Sequence, residues 1–242
     1  MSTRSPPATR RVDLLGHPDM ATLARVLADD IAARLADAVV ARGSATLIVP
    51  GGTSPGPLFD ALSDADLSWA DITVTLSDER WVDVADPGSN ERMVRERLLE
   101  GRARKARFVS WRGAANSPGD AAQRLDVALS PLVPFDVCVL GLGVDGHIAS
   151  LIPDADGFAA AMRGGATVLP IHAPGAAGAA DRLSLTFPAI ASSRLVVLLF
   201  SGAAKRAVFE NALAGGGAAP IVGLLCDAKI PIWAHWCPEA KP

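Results

Sequence analysis

The run FDVCVLGLGVDGHIASLIP, Phe135 to Pro153, holds the pattern on which the fold turns. Val137-Cys138-Val139-Leu140 is short, apolar and largely β-branched, and glycines at 141 and 143 close it, as expected of a parallel strand buried on both faces. These glycines let the turn adopt positive φ or pass close to other backbone. Asp145 and His147 are thereby delivered to the carboxyl edge of a sheet, where open α/β folds bind ligands. Ile148-Ala149-Ser150-Leu151 is predicted to be helical as far as Pro153, with the unpaired amides at its start facing an anion.

Outward from this stretch the chain alternates strands and helices. Leu23, Val26, Leu27, Ile31, Leu35 and Val39 recur at steps of one, three and four, predicting an amphipathic helix from Met20 to Ala41 that ends near Arg42-Gly43. Thr46–Val49 reads as a strand, followed by Gly51-Gly52-Thr53-Ser54 and a helix from Pro55 to Leu62; amides and hydroxyls at such a junction make a phosphate cradle. Ile72–Leu76 is a second strand, ending at Asp78-Glu79-Arg80, charges that a strand end is expected to expose. Ser89 or Asn90 caps a helix to Leu99. Phe108–Trp111 and Thr167–Ile171 read as strands, Ser117–Leu129 as a helix, and Ala173–Ala180 as a loop. Leu195–Phe200 is a wholly apolar strand, followed by a helix over Ala203–Leu213 that carries Lys205. The last strand is either Ile221–Leu225 or Ile232–Trp236. The alternation predicts an α/β fold: a mostly parallel open sheet with helices on both faces, Rossmann-like.

The composition narrows the function classes. Half of the 242 residues are hydrophobic, which suits one well-buried domain. A net charge of −3 gives no general attraction for nucleic acid or an anionic membrane, so an anionic ligand needs a local cluster of cations. The longest strongly apolar run, Leu195 to Phe200, is too short to span a bilayer. The basic start MSTRSPPATRR precedes no hydrophobic segment; residues 1–15 are expected to be a flexible tail and 16–242 a single domain. Cys138, Cys226 and Cys237 have neither metal spacing nor an even disulfide count, which fits a cytoplasmic protein. Tyrosine is absent, so no Tyr acid or nucleophile is available.

Two familiar patterns fail on chemistry. Gly141-Leu142-Gly143-Val144-Asp145-Gly146 fits a dinucleotide fingerprint, but the acid expected roughly 20 residues on is replaced by Ala160-Ala161-Met162-Arg163-Gly164. Gly52-Thr53-Ser54-Pro55-Gly56 fits a nucleophile elbow, but Pro55 has no N–H for an oxyanion, which leaves Ser54 a better phosphate ligand than nucleophile. A composite pattern is more specific. Gly51-Gly52-Thr53-Ser54-Pro55, Asp78-Glu79-Arg80-Trp81 with Ser89-Asn90, the His147 segment, Arg182-Leu183-Ser184-Leu185-Thr186, and Gly202 with Lys205 resemble, in order, the motifs of the 6-phosphogluconolactonase family. That family shares a superfamily with glucosamine-6-phosphate isomerase/deaminase.

The resemblance implies an enzyme that hydrolyses 6-phospho-D-glucono-1,5-lactone to 6-phospho-D-gluconate, the second step of the oxidative pentose phosphate pathway. It implies His147 as base and then acid, oriented by Asp145 or a nearby carboxylate. The Gly143 and Gly146 amides are expected to meet the oxyanion. The phosphate is expected on Gly51, Gly52, Thr53 and Ser54, with Asp78 at the site and Arg80, Arg182 and Lys205 supplying charge. No cofactor and no metal is expected, since no His/Cys/carboxylate cluster has ligand spacing. The partner is a small sugar phosphate, with no nucleic acid and no membrane, and the chain is a monomer or weak homo-oligomer. The isomerase/deaminase branch carries an extra carboxylate soon after the histidine, in a segment ending Asn-Glu-Pro; here Ser150-Leu151-Ile152-Pro153 stands instead. A non-catalytic sugar-phosphate sensor would need a DNA-binding module, and the residues before Thr46 offer one helix and no helix-turn-helix pattern.

Overall fold

The computed structural model describes residues 12–217, 220–226 and 229–239. Leu14–Gly16 (β1) leads into Met20–Arg42 (α1), Ala45–Val49 (β2), Gly56–Ser63 (α2), Ile72–Leu76 (β3), Asp78–Arg80 (β4) and Asn90–Arg97 (α3). Arg107–Phe108 (β5), Pro118–Leu129 (α4), Val137–Leu140 (β6), Phe158–Arg163 (α5), Val168–His172 (β7) and Asp181–Leu185 (β8) follow. Phe187–Ala191 (α6), Val196–Ser201 (β9), Ala203–Leu213 (α7), Pro220–Cys226 (α8) and Ile232–Cys237 (β10) complete the chain.

Seven strands form one parallel sheet in the order β1-β10-β9-β6-β2-β3-β5, with helices around it. Every residue of β2 and β6 is buried, which explains their apolar sequences, broken only by Thr46, whose hydroxyl is bonded to Asp136. Chain order matters here. β3 and β5 build outward from one side of β2, whereas β6, β9 and β10 build outward from the other. The direction reverses between β2 and β6, and at such a switch point the loops leaving the two strands diverge and open a crevice.

Local signals set the helix boundaries. Asp19, Ser89 and Ser117 accept hydrogen bonds from the amides of Thr22 (2.7 Å), Arg92 (3.1 Å) and Asp120 (3.1 Å), each cap contributing about 1 kcal/mol. Helix α1 buries Leu23, Leu27, Ile31 and Leu35 but leaves Val26 exposed, because Ala24, Ala28 and Ala38 fill the rest of its inner face. Gly43 ends it in the left-handed conformation at φ 75°.

Four expectations meet the structure here: three need correction and one open choice is decided. The 1–15 tail lies mostly outside the described residues, but Leu14 and Leu15 belong to β1, held by main-chain pairing to β10 rather than by side-chain periodicity. No helix follows His147. Ala149 takes φ 49°, a left-handed conformation that interrupts helix continuation and costs about 1 kcal/mol for a residue with a Cβ. Between the two candidates for the last strand, Ile232–Cys237 is the strand and Ile221–Leu225 lies in α8. The fourth concerns Asp78-Glu79-Arg80, which does not trail into solvent. It forms β4 in a second, antiparallel sheet of order β4-β8-β7, with Asp78 and Glu79 buried. Ser77 joins the two sheets: its amide donates to Val49 O (2.8 Å) and its carbonyl accepts from Leu185 N (2.9 Å).

Candidate active site

The crevice beside β2 and β6 is a cleft of about 310 Å³ lined by the Pro50–Pro55 loop, Asp78, Arg80, Asn90, the Gly141–Gly143 turn, His147, Ala149, Arg182, Leu199 and Lys205. Of the residues expected at a site, Gly51, Gly52, Thr53, Ser54, Asp78, Arg80, Gly143, His147, Arg182 and Lys205 all line it. Asp145 lines an adjoining cavity of about 630 Å³ that shares Arg80, His147 and Arg182 with the cleft. Gly146 is not among the residues lining the cleft.

The turn after β6 organises the histidine. His147 Nδ1 lies 2.6 Å from Asp145 Oδ1, and the same oxygen accepts the His147 amide at 3.2 Å. A carboxylate only accepts, so Nδ1 is the donor in this bond, and whenever the ring is neutral its lone pair is on Nε2. Burial raises the Asp145 carboxyl, but the charge, amide and ring of His147 outweigh it and hold the group below the usual aspartate value. Gly143 makes room for the pair. A Cβ there would come within 2.3 Å of His147 Nδ1 and 2.5 Å of Asp145 Oδ1.

The oxyanion expectation for Gly143 and Gly146 does not fit this geometry. The Gly143 amide donates to His147 O at 2.9 Å and the Gly146 amide to Gly143 O at 3.1 Å, so both donors are committed within the turn. Glycine is required here for close approach and for φ 84° at Gly146.

The cationic half comes from the second sheet. Arg80 and Arg182 are direct cross-strand partners in the β4–β8 ladder. Like charges at opposed positions destabilise a sheet unless an anion lies between or beside them. Burial, with the Arg80 charge, lowers the Arg182 guanidinium from its ordinary value, and Asp78 opposes the shift. Loop carbonyls fix Arg182: its Nε donates to Ala179 O at 3.0 Å and its Nη2 to Ala177 O. Arg80 Nη1 donates to Gly88 O (2.9 Å) and Asn90 Oδ1 (2.5 Å), while its Nε is buried with no partner among the described residues. Lys205, near the start of α7, closes the cluster.

Three contributors were not singled out in the sequence as site residues. Asn90 was read as a helix cap and quoted within a motif but given no role at the site, yet its side chain lies where a Cβ of Gly51 would fall, 1.7 Å from Asn90 Oδ1. Ser150 sends its hydroxyl to Asp78 Oδ2 at 2.7 Å, and Ser77 binds Oδ1 at 2.9 Å. Asp78 thus ties the histidine turn to the second sheet. Glu79, which is buried, is the third. Among the described residues no group of three or more His, Cys, Asp or Glu is arranged to hold a metal, and no helix is long and apolar enough to cross a membrane.

The family model for glucosamine-6-phosphate isomerases/6-phosphogluconolactonase matches residues 18–233. A 6-phosphogluconolactonase of Mesorhizobium japonicum is 41% identical over 224 residues, 91% of this chain and 93% of that protein. One of Pseudomonas putida is 41% identical over 91% of this chain and 90% of its own length. The crystal structure of a 6-phosphogluconolactonase from Shewanella baltica superposes with a TM-score of 0.89 at 35% identity, covering 95% of this chain and 99% of that one. A monomeric glucosamine-6-phosphate deaminase shares the fold at a TM-score of 0.74 and 18% identity, over 94% of this chain and 98% of that one.

Proposed function

The chain belongs to the glucosamine-6-phosphate isomerase/6-phosphogluconolactonase family, and from that premise we propose that it is a 6-phosphogluconolactonase in which His147 is the general base. The substrate is 6-phospho-D-glucono-1,5-lactone. Its phosphate lies against the Gly51–Ser54 loop, Arg80, Arg182 and Lys205, and its carbonyl carbon lies toward His147. The observation that carries this reading is the opposed pair Arg80 and Arg182, with an Arg80 Nε that has no partner among the described residues, sharing one cleft with His147, which Asp145 holds from the adjoining cavity. An unpaired buried donor costs about 1–3 kcal/mol, and a phosphate oxygen would offset that cost.

His147 Nε2 takes a proton from water as the hydroxide adds to the lactone carbon. Asp145 stabilises the imidazolium that forms and fixes its tautomer. The ring C–O bond then breaks, and Nε2 returns the proton to the departing ring oxygen. The new acid ionises, so each turnover consumes one water and releases one proton. The deaminase reading requires a carboxylate soon after the histidine, whereas Ser150 has its hydroxyl bound to Asp78.

The test follows the loss of freshly generated 6-phosphogluconolactone near neutral pH, corrected for spontaneous hydrolysis, alongside ammonia release from glucosamine 6-phosphate. Acceleration of the first without the second is expected. Ammonia release without lactone acceleration would transfer the chain to the deaminase branch.

A further inference from the structure

Glu79 is 3% exposed and forms no ion pair among the described residues, yet it binds the amides of Arg80 and Asn90, both of which line the cleft. Its carboxylate is satisfied by neutral donors. Oε1 accepts the amides of Arg80 (2.7 Å) and Asn90 (2.8 Å); Oε2 accepts the amide of Glu91 (2.7 Å) and the hydroxyl of Ser89 (3.0 Å). Two of those amides belong to the first turn of α3, where backbone N–H groups lack helical partners and the helix dipole favours negative charge. Burial raises the Glu79 carboxyl, and the amides of Asn90, Glu91 and Arg80 with the Ser89 hydroxyl work against that rise.

The two residues whose amides share Oε1 also meet through their side chains, Arg80 Nη1 donating to Asn90 Oδ1 at 2.5 Å. Asn90 Nδ2 donates to Asp78 O at 2.8 Å, and Asn90 Oδ1 occupies the space beside Gly51. One carboxylate therefore fixes the end of β4, the start of α3, the seat of Gly51 and the aim of the Arg80 guanidinium. Resting on the proposed phosphate position, we propose that Glu79 is a positioning residue for the phosphate clamp, setting the spacing between the Gly51–Ser54 loop and Arg80 without touching substrate. It governs how tightly the sugar phosphate is held and takes no part in proton transfer at His147.

Glu79→Gln places an NH₂ group among N–H donors, so one side of the cluster must open. KM for the lactone and the calorimetric Kd for 6-phosphogluconate are expected to rise about 10-fold, with kcat at saturation within about 2-fold of wild type. Ser89→Ala removes one of the four bonds to Glu79 together with the α3 cap on the Arg92 amide, and is expected to raise KM and Kd about 2- to 3-fold. A purely structural role predicts lower stability with KM and Kd unchanged; that result in folded Glu79→Gln, or a fall in kcat with KM unchanged, overturns the proposal. Should Glu79→Gln not fold, unchanged KM and Kd in Ser89→Ala overturn it instead. If the wild type does not accelerate lactone hydrolysis, the functional reading fails, while the Kd for inorganic phosphate in the same variants still decides whether Glu79 sets the clamp.

Discussion

Asp145 Oδ1 holds His147 twice, through the ring and through the amide, and the consequences of that contact belong to the residue scale. The pair is half-exposed, so its Coulombic part is screened, and the directional part, the fixed tautomer, dominates. Asp145→Asn is expected to keep the fold and lower kcat about 10- to 100-fold with little change in KM, less than for a fully buried carboxylate beside a catalytic histidine. Steady-state kinetics on the folded variant checks this; a KM effect alone would move Asp145 to the binding half. The carboxyl is held below the usual aspartate range, so its contribution is complete above about pH 4 and is lost as pH falls through the depressed value. That His147 and Asp145 would meet in one turn was legible from a strand, two glycines and a two-residue spacing. The Gly143 and Gly146 assignment was not, because a glycine in sequence does not reveal whether it frees an amide or makes room for a neighbour. Glu79 was hidden for a related reason: a charge at a strand end reads as solvated until the donors that surround it are in place.

At the scale of elements, the edge strand β1 is attached to β10 by its ladder and by a histidine pair. His17 Nε2 and His235 Nδ1 are 3.0 Å apart, with their rings stacked at 5.2 Å. His235 is buried, and its Nε2 has no partner among the described residues. Burial, aided by the His17 charge, lowers His235 from 6.5 to about 4. The unfolded chain therefore takes up a proton as pH drops through 6.5, which the folded chain resists until about pH 4. Stability is full above the upper value, falls through that window, and loses nothing further from this group below it. The loss amounts to about 2 kcal/mol, somewhat less than the whole shift implies. Urea unfolding at pH 7.5 and pH 5 measures it; His235→Gln should flatten the difference, and an unchanged difference would assign the acid sensitivity elsewhere. β1 itself escaped the sequence reading because three residues after a basic segment carry no periodicity. Of the second sheet only β7 was legible as a strand; β4 was read as an exposed strand end and β8 only as a motif, since the antiparallel pairing of β4 with β8, about 100 residues apart, leaves no local mark. By contrast β3, β6 and α7 match their predicted bounds, because apolar runs closed by glycine or polar residues, and 3.6-residue periodicity, are local signals.

Across the whole molecule, the parallel sheet supplies the histidine turn and the Gly51–Ser54 loop at its switch point, and the small antiparallel sheet brings the two arginines against them. Ser77 and the Ser150–Asp78 bond join these two bodies. The predicted sheet and the order of the motifs were legible because four of the five motifs follow a strand of the parallel sheet; that Arg80 would face Arg182, in the remaining one, depended on a second sheet that no local pattern announced. The central claim is that one cleft divides its work, with the His147 turn performing the hydrolysis and the phosphate clamp the binding. The most direct test measures, on folded His147→Ala, both the lactonase rate and the calorimetric Kd for 6-phosphogluconate. The account predicts a rate lowered about 10²- to 10⁴-fold with Kd within about 3-fold of wild type. A variant that still hydrolyses the lactone at the wild-type rate, or that loses binding together with hydrolysis, would contradict it.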